Sequence, residues 1–66
     1  MFHIKEKVEC VEREIAMRKR VYPAFVAKGR MRQEKADYEI AAMESVLNDM
    51  KFLERMEDFF SDTRRS

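Results

Sequence analysis

Residues 22–32, Tyr22-Pro23-Ala24-Phe25-Val26-Ala27-Lys28-Gly29-Arg30-Met31-Arg32, hold the only proline and the only glycine of a 66-residue chain. The residues on either side carry helical periodicity, so this stretch decides the fold. Proline removes a backbone donor and disfavours the helical conformation in the residue before it, which predicts a break at Tyr22-Pro23. Residues 23–28 can restart as one helical turn with Pro23 in first position, and Gly29 then supplies a left-handed stop. The expected connection is helix, break, one turn, glycine, second helix.

Upstream, Ile4, Val8, Val11, Ile15 and Tyr22 form a stripe at spacings of 4, 3, 4 and 7, with Arg18 at the skipped position. This is an a/d pattern and predicts a helix over 4–22. Its β-branched residues all lie on the stripe, where packing outweighs propensity. Glu9 with Arg13 and Glu14 with Arg18 are i,i+4 pairs in the favourable order. Acids come early in this segment and Arg18, Lys19 and Arg20 come last, which suits the helix dipole.

Downstream, Ala36, Ile40, Met43, Leu47 and Met50 recur at spacings of 4, 3, 4 and 3, and Leu53, Met56 and Phe60 follow at 3, 3 and 4. The spacing predicts a second helix over 32–60 that drifts from a strict heptad. Arg32 is a poor N-cap, and Met31 with Ala36 offers only a weak staple. Ala42, Val46, Leu53 and Phe60 add a second edge, so the apolar face is broad enough for a bundle. The pattern fades after Phe60, which predicts a frayed tail over 61–66.

Two helices joined by a short connection fold back on each other, so the expected class is all-α, a single antiparallel helical hairpin over 1–66. A chain this small rarely builds a sufficient core alone. Its one cysteine, Cys10, cannot form an internal disulfide, and with one histidine, His3, it offers no metal site. Self-association remains, and pairing of two hairpins into a four-helix bundle is the expected form. The expected self-association or partner face comprises Ile15, Ile40, Met43, Leu47, Met50, Leu53, Phe52, Phe59 and Phe60. The last three aromatic residues cover more than one side of their helix, which a lone hairpin cannot bury.

Composition narrows the class further. The chain is 45% apolar and 41% charged, which argues against disorder and against fibrous or low-complexity classes. No apolar run is long enough to span a membrane, and no secretory signal is expected. A reducing, cytoplasmic location is the expectation.

Charge is unevenly laid out. Residues 18–35 hold Arg18, Lys19, Arg20, Lys28, Arg30, Arg32 and Lys35 against Glu34 alone, a local +6, while the remaining seven bases and twelve acids give −5. In a hairpin the turn end becomes a positive pole on acidic shafts. These seven residues are the candidates for an anionic partner, either a phosphate backbone or an acidic protein surface. The plainer alternative is a solvated turn with bases complementing a helix C-terminus. Tyr22 and Phe25 within this segment suit base stacking, but plugging the closed end of a hairpin is the expected role. The near-neutral total and the acidic shafts count against a nucleic-acid duplex.

Methionine is abundant, six against two leucines, a composition that fits an adaptable binding surface or simple gap-filling. Catalysis has no support. His3 has no Cys or Asp near it in sequence, Cys10 lies off the apolar stripe, and Glu54, Glu57 and Asp58 read as a solvated helix face. No glycine-rich loop is present to cradle phosphate, and no cofactor is expected.

The segments Arg20-Val21-Tyr22-Pro23, Gly29-Arg30-Met31 and Lys35-Ala36-Asp37, within residues 8–50, resemble a family of small proteins encoded by tailed phages and bacterial prophages. Such families often place Ser or Thr where this chain has Arg32. The resemblance implies a setting rather than an activity: a small accessory protein that binds and modulates a host or phage protein in a bacterial cytoplasm. The alternative expectation is a nucleic-acid-binding accessory protein that uses the basic turn end.

Overall fold

A computed structural model describes residues 2–65, with side chains through Phe60. Two helices, α1 (Ile4–Ala27) and α2 (Gln33–Arg65), pack against each other. No strand occurs among the described residues. The pairing is antiparallel, as contacts between the helices run in reverse order along the chain. His3 faces Glu57, Glu12 faces Lys51, Lys19 faces Glu44 and Arg18 faces Glu39.

Pro23 does not break α1, which carries it internally and ends five residues beyond the predicted end. An internal proline deletes one bond, the one its own N–H would give to the Lys19 carbonyl, and leaves later bonds intact. Lys28 N–H still donates to the Ala24 carbonyl at 3.1 Å. The stop falls at Gly29 as expected, with φ +72°. Arg30 N–H donates to Phe25 O at 2.9 Å and Gly29 N–H to Val26 O at 3.0 Å, the paired bonds of a Schellman cap.

α2 starts one residue later than predicted. Arg32 stands at its N-cap and contributes only its carbonyl, which accepts from Ala36 N–H at 3.0 Å. The helix continues past Phe60 to Arg65, where the sequence predicts a frayed tail. No glycine or proline interrupts the segment, and a helix propagates by one bond per residue without needing an apolar stripe. Ser66 lies outside the described residues.

The core is thin. Val8, Ile15 and Ala36 are buried, while Ile4, Val11, Ile40, Met43, Leu47 and Met50 are half-buried along the seam. Leu53, expected on the self-association face, is exposed in the single hairpin. The heptad register of α2 runs 36, 40, 43, 47, 50 and then 54 and 57, and those last two seam positions are Glu54 and Glu57. The apolar stripe follows the three-residue steps instead and rotates away from α1 after Met50.

The result is a rod of 57 × 18 × 16 Å with a radius of gyration of 16.1 Å. A globular chain of this length has a radius near ~11 Å. α2 is 33 residues long and α1 is 24. Since His3 lies level with Glu57, the end of α2 overhangs α1 by ~12 Å at 1.5 Å per residue.

Candidate functional site

Two surfaces stand out, one at each end of the rod. At the closed end, the seven predicted basic residues divide into two groups. Arg18 is drawn into the seam: its Nε donates to Glu14 Oε1 at 2.9 Å and its Nη1 lies 3.7 Å from Glu39 Oε2. The guanidinium also stands 5.9 Å from the centre of the Tyr22 ring. The hydrogen bond that Arg18 donates to Glu14 raises the Arg18 pKa above its ordinary value, against an opposing desolvation effect. Lys19 pairs with Glu44 at 3.6 Å and Lys35 with Glu39 at 3.1 Å. Arg20, Lys28, Arg30 and Arg32 are exposed and make no ion pair among the described residues.

The basic end is therefore a cluster of four residues rather than seven. The other three are neutralised by acids, Arg18 and Lys19 across the seam from α2 and Lys35 within α2, and the two cross-helix pairs are invisible to a one-dimensional charge count. Tyr22 and Phe25 stack with centroids 6.4 Å apart and are half-buried, so they close the hairpin end rather than present free ring faces.

At the open end, Phe52, Leu53, Phe59 and Phe60 are all 53–62% exposed. Phe59 and Phe60 meet edge to face with centroids 5.6 Å apart. Val46 and half-buried Met56 extend the same surface. Of the nine residues expected on a self-association face, Ile15, Ile40, Met43, Leu47 and Met50 form the seam between α1 and α2. Phe52, Leu53, Phe59 and Phe60 instead form a separate surface turned away from α1.

The two long flanks of the hairpin differ. Lys19–Glu44 and Lys51–Glu12 are both pairs between heptad e positions, which share one flank of an antiparallel pair. The g positions of the other flank include Val21, Val46, Leu53 and Phe60. One flank is thus closed by ion pairs across the seam, and the other carries these apolar residues beside Glu14 and Glu39, the acids that hold Arg18.

His3 plays a part that the sequence reading missed. Its Nδ1 accepts from Lys5 N–H at 3.1 Å, so it caps α1, and its Nε2 lies 3.6 Å from Glu57 Oε1. Accepting at Nδ1 puts the proton of the neutral ring on Nε2, toward Glu57. Histidine is not a favoured capping residue, and Glu57 is remote from it in the sequence, so neither contact is legible before the chain folds. Glu54 and Glu57 follow the seam register, as described above. The free Cys10 thiol is exposed in an open apolar groove of about 570 Å³, lined also by Phe2, Val11 and Met50. Among the described residues no cluster of His, Cys, Asp or Glu could hold a metal ion, and no helix is long and apolar enough to cross a membrane.

Compared with known proteins, the chain matches no family model, no curated protein and no solved structure.

Proposed function

We propose that the chain is a non-enzymatic protein-interaction module that self-associates and binds and modulates a host or phage protein. In this reading it is an accessory protein of a tailed phage or prophage acting in a bacterial cytoplasm; that setting rests on the sequence resemblance alone. The observation that carries the interaction reading is the exposed surface of Phe52, Leu53, Phe59 and Phe60 on a hairpin with three buried apolar residues. Contiguous exposed aromatic surface on a small rod marks a contact site. A second hairpin supplies the missing cover, and four helices packed as a bundle are the ordinary solution for this class.

The test is capture of a stoichiometric partner by the tagged protein from the cognate host. That complex should be lost in Phe52→Asp and kept when Arg20, Lys28 and Arg30 are all replaced by Ser. Retention in the first variant overturns the assignment of the surface.

A second reading is favoured by a separate observation, the four exposed basic residues Arg20, Lys28, Arg30 and Arg32 with no ion-pair partner among the described residues. They suit an anionic ligand such as nucleic acid. Binding would then weaken with salt at a log–log slope near −0.9 per phosphate neutralised. The triple Ser variant would abolish it.

A further inference from the structure

The exposed residues at the open end form a self-complementary pattern. Phe52 and Phe59 lie seven apart, as do Leu53 and Phe60, and Met56 stands midway between the two rows. Residues seven apart stay on one helix face, with a drift of only ~20° per heptad. Antiparallel pairing of this segment with itself, about a two-fold axis through Met56, sets Phe52 beside the partner subunit's Phe59. It sets Leu53 beside the partner subunit's Phe60, and the two Met56 side chains meet on the axis. A two-fold interface requires this kind of self-complementary patch.

Surface area argues in the same direction. The accessible surface is 5607 Å². A compact monomer of 8.0 kDa exposes roughly 4,450 Å² on the size scaling of globular chains. The excess exceeds the ~800 Å² per partner that a standard stable interface buries.

Charge selects the orientation. Arg20, Lys28, Arg30 and Arg32 are exposed at the turn with no ion pair among the described residues, so joining hairpins with their turns at the same end brings two positive poles together. Joining the open ends holds them far apart.

We infer that the occupant of this surface is a second copy of the chain, docked open end to open end, with the overhang of each α2 lying antiparallel along the other. This rests on the self-association reading above and specifies where and in which sense the copies meet. The four helices converge only at the join, where the start of each α1 flanks the paired α2 helices. Each hairpin extends from it as a two-helix arm, and the basic turns stand at opposite ends of the assembly.

The test is a distance between turns. A nitroxide is attached at Lys28→Cys in a Cys10→Ser background, and pulsed electron resonance is read beside sedimentation on the same sample. The axial rise of α2 from Met56 to its start predicts a separation of about 70 Å. A distance below about 30 Å means turns at the same end, and one near ~50 Å means full-length overlap; either overturns the inference while leaving self-association standing. A monomer by sedimentation, with no pair distance, overturns both. Met56→Glu places like charges on the axis and should weaken the dimer at least ~100-fold with helicity unchanged. Asn48→Glu, exposed and off this surface, should not. A dimer indifferent to Met56→Glu also overturns the inference.

Discussion

Arg18 joins α2 through Glu39 twice, its Nη1 lying 3.7 Å from the Glu39 carboxylate and 3.4 Å from the Glu39 carbonyl oxygen. This charged residue occupies a position of the α1 stripe where an apolar side chain would continue the seam. Its aliphatic stem covers the neighbouring apolar residues while the guanidinium reaches acids on both helices.

Replacing such a residue separates packing from charge. Arg18→Ala removes the stem and leaves Glu14 and Glu39 together without their cation, so it should lower the melting temperature by several degrees. Arg18→Leu restores the packing and should keep or raise it, because a hydrophobic isostere often equals a partly buried ion pair. Thermal melts followed by circular dichroism compare the two, and a Leu variant as unstable as the Ala variant overturns the packing account.

The raised pKa of Arg18 bears on pH dependence. A cation whose folded pKa lies above its unfolded value contributes stability that is fully present below the unfolded value. That stability is lost only as pH rises through the folded one. Both values lie far above the neutral range, so this contact adds no slope to stability between about pH 6 and 9. Melting curves of the parent and Arg18→Leu should therefore keep a constant offset across that range.

Pro23 lies inside α1 and leaves the Lys19 carbonyl without its helical donor. Pro23→Ala restores that bond and should stabilise the hairpin by about 1–3 kcal/mol, since proline in a helix interior costs about 3. Denaturant titration measures it, and a destabilised Ala variant would show that the chain needs the proline for the course of α1.

Gly29 holds φ +72° with nothing within 4 Å of where a Cβ would sit. The cost of Gly29→Ala is therefore conformational alone, roughly 1–2 kcal/mol for an L-residue in the left-handed region. Gly29→Asn should cost less, as Asn tolerates that region better. An equal loss in both variants would point to a contact instead.

Burial separates the two apolar sets. Ile15 is buried, so Ile15→Ala should cost ~2–5 kcal/mol at any protein concentration. Leu53 is exposed in the single hairpin, so Leu53→Ala should act only through association. Its effect should grow with protein concentration over the range where the dimer forms.

Helix content, the hairpin and the glycine stop are all legible in the sequence, because a stripe at spacings of 4 and 3 and a lone glycine are local signals. The persistence of α1 through Pro23 is not, because one lost bond is weighed against the partial burial of Tyr22, Phe25 and Val26, which arises only in the folded hairpin. The exposure of Leu53 is hidden for a different reason. Following apolar residues from Met50 leads to Leu53, whereas following the register leads to Glu54, and only the second path faces α1. The roles of Arg18, Lys19 and Lys35 depend on Glu39 and Glu44, which are remote from the first two in the sequence and near in the fold.

The Schellman cap at Gly29 also sets an order of assembly. Contacts across the turn join residues close in sequence, while His3 and Glu57 stand at the far end of the longest loop in the molecule. The entropy of closing a loop rises with its length, so pairing starts at the turn and advances like a zip toward the open end. Amide exchange should follow that gradient in reverse, with the overhang of α2 opening first and the residues flanking Gly29 last, so the proposed contact surface lies at the most readily remodelled end of the rod.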